Sequence, residues 1–124
     1  MGFSGFSKLE ARWRRQRAER VLRSQGLRTL LMERGVPVLR ASGVRRAYLF
    51  GSVAAGTAKT HSDIDVLAIS VQAADYWRLR RELEAALDHP VDLYTQDDEP
   101  EFVRKIMERG DLIYEVQPGA ITLR

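Results

Sequence analysis

The chain has 124 residues, 44% of them apolar and 30% charged, which fits one domain with a single modest core and excludes a disordered chain. It has no cysteine, which excludes a disulfide scaffold, a thiolate metal site and a cysteine nucleophile, and fits a reducing cytosol. The net charge of +3 is unevenly placed: residues 1–28 hold eight Lys/Arg against two Glu, so the rest of the chain is net acidic and its body does not read as a nucleic-acid binder.

No apolar run approaches the length of a membrane span and no signal-peptide pattern opens the chain, so the expected location is cytoplasmic. Met1-Gly2 resembles the start of a myristoylation site, but Phe6 stands where Ser or Thr is needed.

Residues 8–24 predict a helix with a loose apolar stripe of Leu9, Trp13, Ala18, Val21 and Leu22, stopped by Gly26. A second helical pattern carries Leu27, Leu30, Leu31, Val38 and Leu39. Gly35 and Pro37 should kink or split it, because Pro37 has no backbone N–H, and Gly43 should end it. Then the period changes. Ala47-Tyr48-Leu49-Phe50 reads as a buried strand entering a turn at Gly51-Ser52, and residues 53–62 form a loop marked by Gly56. A second strand spans Asp63–Ile69. An amphipathic helix spans residues 74–87, with Trp77, Leu79, Leu83, Ala86 and Leu87 as its apolar members. A third strand runs over Pro90–Tyr94, and a helix over 99–109 turns Phe102, Val103 and Ile106 inward. A last short strand covers Leu112–Val116, and Pro118-Gly119 begins a tail. The order predicts an α/β (α+β) fold: a small mixed β-sheet of three to four strands with helices packed on it.

Asp63 and Asp65 stand two apart, which places both side chains on one face of a strand while Ile64 and Val66 face the other way. At about 4 Å and an effective dielectric near 20, two such charges repel by roughly 4 kcal/mol. Magnesium is a fitting counter-charge, because it prefers carboxylate oxygens and bridges them to phosphates. A bare Asp-x-Asp is ordinarily a solvated strand start. Asp92, between Val91 and Leu93 in a second apolar strand, makes that bland reading harder to keep. Three converging carboxylates can hold two divalent ions for in-line phosphoryl or nucleotidyl displacement. Gly51 lets backbone approach a phosphate closely, and Ser52 can donate its hydroxyl.

Together, Gly51-Ser52, a ten-residue gap and Asp63-x-Asp65 between strands resemble the signature of the polymerase-beta-like nucleotidyltransferase superfamily. The segment from Tyr48 to Thr57, followed by His61-Ser62-Asp63-Ile64-Asp65-Val66-Leu67, is similar to its minimal-nucleotidyltransferase branch, and Pro90-Val91-Asp92-Leu93 resembles the strand bearing that family's third aspartate. Glu101–Ile106 and Leu112–Glu115 resemble its closing helix and strand. The resemblance implies the polymerase-beta-like nucleotidyltransferase fold. It implies that Gly51, Ser52 and Ser62 bind the nucleotide, ATP as substrate. It implies that Asp63, Asp65 and Asp92 are the catalytic residues and ligate two magnesium ions, with Asp92 near the attacking hydroxyl. On this reading residues 1–26 are a basic N-terminal helical extension, 27–116 the nucleotidyltransferase domain and 117–124 the tail. One departure stands out: Ala55 precedes Gly56 where many members carry an arginine. Lys59 could replace that cation or could simply be solvated.

His61 and His89 sit in predicted loops without metal-ligand spacing, Ser52 has no triad partners, and Trp77 is expected to pack. The minimal branch typically works with a separately encoded helical partner of the HEPN type, often an RNase toxin. The resemblance therefore implies an antitoxin that transfers AMP to a hydroxyl, a tyrosine of that partner. The alternatives are an antitoxin that neutralises by occlusion with a weak or inactive site, and a transferase acting on a small molecule such as an antibiotic. The arm of Arg12, Arg14, Arg15, Arg17, Arg20 and Arg23 could also bind nucleic acid, although a solvated helix or a docking surface for an acidic partner accounts for it as well.

Overall fold

The computed structural model describes residues 3–117. The expected tail at Pro118-Gly119 and the Met1-Gly2 start lie outside the described residues. In chain order the elements are α1 (Phe3–Leu30), a π turn (Leu31–Gly35), α2 (Val36–Ala41), β1 (Arg46–Phe50), α3 (Gly51–Ala55), β2 (Ile64–Ile69), a 3-10 turn (Ala73–Asp75), α4 (Tyr76–Leu87), β3 (Val91–Thr95), α5 (Pro100–Arg109) and β4 (Asp111–Glu115).

Gly26 does not stop the first helix, which runs on to Leu30. A glycine inside a helix costs only about 1 kcal/mol, and the residues beyond it bury Leu31 and hold Arg28 in an ion pair with Asp111. The second expected interruption does occur. The Pro37 ring crowds the carbonyl one turn back, and the helix widens into a π turn over Leu31–Gly35 instead of breaking. The helix ends at Ala41, and Gly43 just beyond its cap takes a left-handed φ of 78°.

The sheet has four strands in the order β3-β2-β1-β4. β1 lies antiparallel to β2 and β4, while β2 and β3 are parallel and are joined through α4. Both faces are covered. Leu49, Ile64 and Val66 pack with Leu31, Leu39, Leu79, Leu83 and Leu87 of the helical layer, and Tyr48 and Leu67 pack with Val103 and Ile106 of α5. Double coverage explains why these strands read as continuous apolar runs. The free edge of β3 is dressed by its own neighbours: Val91 N–H donates to Glu84 Oε2 at 3.0 Å, Leu93 C=O accepts from the Tyr76 hydroxyl at 2.6 Å, and Thr95 N–H donates to Asp98 Oδ2 at 2.9 Å.

The expected stripe on α1 has no core to face. Trp13, Val21 and Leu22 are all exposed. At about 100° per residue the six arginines also spread around the helix instead of lining one side. Among the described residues, polar ties from α1 to the body come from its C-terminal part, through Arg23, Ser24 and Arg28. Among the described residues no helix is long and apolar enough to cross a membrane.

Candidate active site

β1 delivers its last residue, Phe50, opposite Asp65 of β2, and the parallel register sets Asp65 opposite Asp92 of β3. Side chains alternate along a strand, so Asp65 shares the α5 face with Leu67 while Ile64 and Val66 enter the main core. Both carboxylates therefore stand side by side at one end of the sheet. Gly51, directly after β1, has φ of 72°, and a Cβ added there would overlap Asp65 Oδ2 and lie 3.0 Å from Asp65 Cγ. The glycine is required twice, by its backbone conformation and by the carboxylate occupying the space of a side chain.

Asp65 is the strained member of the group. Burial, then the charge and hydrogen bonding of Asp92, then the charge of Asp63 push its pKa from 3.8 to about 6. Burial, followed by Asp92 and Asp65, also raises the Tyr94 phenol. Asp63 lies just before β2 instead of inside it, half-buried. Among the described residues no three acidic or histidine side chains stand close enough to enclose a metal ion as they are. The donor set is nonetheless all carboxylate, and the charged groups that act on the half-buried Asp65, namely Asp92 and Asp63, are themselves acidic, so the residues fit a hard divalent cation. Magnesium commonly completes its shell with water and substrate phosphate oxygens and does not need a closed protein cage.

Ser52, half-buried, is the second residue of the short α3, whose C-terminus is closed by Gly56 in the left-handed region and by Thr57 N–H donating to Ser52 C=O at 2.9 Å. Ala55 is exposed at the end of that turn, and Lys59 is exposed beyond it. The loop from Gly56 to Asp63 is held from several directions. Ala58, fully buried, donates its N–H to Ser24 Oγ at 3.0 Å, and its carbonyl accepts from Arg23 Nη1 at 3.0 Å. Ser62 Oγ accepts from Lys59 N–H at 2.8 Å, which leaves the hydroxyl proton free to donate, and His89 Nε2 lies 2.8 Å from Ser62 C=O. His89 thus steadies the loop, whereas His61 is exposed.

A cleft of about 490 Å³ wraps around the free edge of β3, with Asp92 on one wall and Tyr76, Trp77, Arg80, Tyr94 and Asp97 around it. Trp77 does not pack as expected and is 64% exposed. Its ring meets Tyr76 edge-on at 4.9 Å and carries the Arg80 guanidinium 5.6 Å from its centroid, so it forms the rim of the cleft. The spacing of Trp77 and Arg80, one helical turn apart, was a signal available in the sequence. Ser24 and Arg23 offered none, because their partner lies 34 to 35 residues away.

A glycine turn against two strand carboxylates is the arrangement of a nucleotidyltransferase, and residues 37–118 match the family model for the polymerase beta nucleotidyltransferase domain. The chain belongs to that family. It is 41% identical over 63 residues, 48% of this chain and 68% of the other, to a candidate protein adenylyltransferase of Methanocaldococcus jannaschii. In three dimensions it resembles a chain of a toxin–antitoxin complex crystallised with AMP-PNP, at 26% identity and a TM-score of 0.60 over 71% of this chain and 76% of that one. It also resembles a candidate minimal nucleotidyltransferase, at 28% identity and a TM-score of 0.55 over 68% and 92% of the two chains. A complex of the tri-AMPylated Shewanella oneidensis HEPN toxin with its MNT antitoxin matches at 22% identity and a TM-score of 0.55, over 75% of this chain and 76% of that one, a likeness of fold alone.

Proposed function

We propose that this chain transfers AMP from ATP to a hydroxyl of a protein partner, a tyrosine of a HEPN-type helical toxin, and so acts as an antitoxin. The observation that carries the reading is the register that sets Asp65 beside Asp92 with Gly51 beneath Asp65. The turn at Gly51-Ser52 offers close backbone approach and a hydroxyl to the triphosphate, and Ser62 has a donor to spare. Asp63, Asp65 and Asp92 would hold magnesium, which when bound offsets their charge and polarises the phosphoryl group under attack. Asp92, on the wall of the cleft, is placed to orient the acceptor hydroxyl and take its proton. A protein acceptor is supported by the adenylyltransferase and toxin–antitoxin relatives.

The test is intact mass spectrometry of a helical partner encoded beside this chain, after incubation with ATP and magnesium. Adenylyl adducts that appear with the wild type and vanish with Asp63→Asn are expected. A tight complex without adducts would refute transfer and favour neutralisation by occlusion, the reading that Ala55, in place of a family arginine, supports.

A further inference from the structure

We propose that the cleft between α4 and the free edge of β3 is the acceptor subsite, and that it takes a hydroxyl-bearing protein segment with lysine or arginine beside the hydroxyl. The inference rests on the nucleotidyl-transfer reading and names the substrate class of that site.

The placement follows from strand order. The turn at Gly51-Ser52 ends β1, Asp65 lies on β2, Asp92 lies on β3, and the cleft opens beyond β3. With strands about 4.8 Å apart, the phosphate turn and the cleft stand on opposite sides of the carboxylates, about 10 Å from each other. In-line displacement requires the entering and leaving oxygens to lie on opposite sides of the phosphorus, and this arrangement offers one side to each. The acceptor oxygen forms its bond to the α-phosphorus as the bond from that phosphorus to the α–β bridging oxygen breaks. Pyrophosphate leaves toward Gly51-Ser52, and the hydroxyl proton passes to the Asp92 carboxylate and then to water. If the leaving group departs on the β1 side, the hydroxyl must enter from the β3 side, where the cleft is.

The walls name the chemistry. Asp92, Asp97 and Asp98 all line the cleft. Among its described lining residues the one cation, Arg80, stands against the Trp77 ring and 3.9 Å from Glu84. Among the described lining residues a phosphate entering here would meet three carboxylates against one guanidinium, whereas a cationic side chain would meet Asp97 and the exposed Trp77 rim. A volume of about 490 Å³ suits one or two side chains and not a folded domain.

Trp77 also supplies the probe. In a Trp13→Phe background it is the sole tryptophan, since the chain has two. The full chain is titrated, without nucleotide, with the blocked peptides Arg-Tyr-Arg and Glu-Tyr-Glu. The expected result is a Trp77 fluorescence change half-complete at a concentration at least tenfold lower for the arginine peptide, with the preference reduced severalfold in Asp97→Asn. With ATP and magnesium added, Arg-Tyr-Arg should gain the mass of one adenylyl group and Arg-Phe-Arg none, and Trp77→Ala should raise the KM for the peptide while leaving ATP affinity, read by calorimetry, unchanged. Equal response to both tyrosine peptides would overturn the proposal. So would a Trp77 response to ATP alone that the peptides compete away, which would make the cleft the nucleobase site. Failure of the transfer reading is separable: peptide binding in the expected order, with no adduct on any peptide and no pyrophosphate released, would remove the enzymatic function and leave a docking site for a basic segment.

Discussion

Replacing Asp65 with asparagine should stabilise the metal-free protein above neutral pH and weaken it nowhere. The carboxyl of Asp65 titrates near 6 in the fold and near 3.8 when exposed, because burial and Asp92 oppose its charge. An acid whose pKa is raised by folding holds its proton more tightly in the folded state. Its contribution is therefore fully favourable below about pH 4, declines as pH rises from 4 to 6, and becomes a full penalty above 6. A shift of this size corresponds to roughly 3 kcal/mol, and solvent screening of a half-buried group reduces that to roughly 1–2 kcal/mol. For a domain of this length that is a melting-temperature gain of about 4–8 °C. The assay is thermal unfolding of wild type and Asp65→Asn in EDTA between pH 4 and pH 8.5. The two curves should meet at the acid end and separate through pH 6, and subtracting one from the other removes whatever the two proteins share. Magnesium should raise the wild-type melting temperature at pH 8 and close the gap. A variant that melts lower at every pH, or a difference independent of pH, would refute the argument and make Asp65 a structural residue.

Other consequences are as direct. ATP binding measured by calorimetry should require magnesium and weaken below pH 6 as protons compete for Asp65; equal heats in EDTA would contradict a metal-bridged site. Gly51→Ala should abolish nucleotide binding and cost about 1–3 kcal/mol in a denaturant melt, since the new methyl displaces the Asp65 carboxylate and the residue must keep a positive φ. Ser24→Ala leaves a buried N–H on Ala58 without its acceptor, a loss of about 1–3 kcal/mol, and should raise the KM for ATP more than it lowers kcat if the loop it holds carries the phosphates. Removing residues 1–18 should shift the melting temperature by no more than about 2 °C, whereas removing residues 1–26 also takes Arg23 and Ser24 and should lower it by several degrees. Ala55→Arg should tighten ATP binding; no change would mean that the exposed end of α3 lies away from the phosphates.

Local chemistry made much of this molecule legible. Alternation around Ile64, Val66 and Leu67, and the apolar spacing of Leu79, Leu83 and Leu87, specify strand and helix because burial imposes their periods. Strand limits moved by one residue, which carried Asp63 out of β2 but left Asp65 and Asp92 paired as their positions suggested. Gly26 misled because a stop requires a left-handed conformation that only the tertiary structure decides; Gly43 adopts it and Gly26 does not. The stripe through Trp13 and Leu22 misled for a related reason, since a pattern of apolar residues does not say whether a surface lies opposite it. Long-range tethers such as Ser24 to Ala58 leave no local trace at all.

The dressing of the β3 edge limits how any other protein can approach this side of the sheet. With Val91 N–H, Leu93 C=O and Thr95 N–H already bonded to Glu84, Tyr76 and Asp98, an incoming extended chain finds few backbone groups to pair with. Continuing the sheet there would require those three side chains to let go, at about 1 kcal/mol or more for each bond broken without replacement. On the proposed transfer reading, a visitor at Asp92 would therefore have to present a protruding side chain instead of an added strand. The same guard leaves few backbone groups on β3 through which copies of this chain could pair edge to edge.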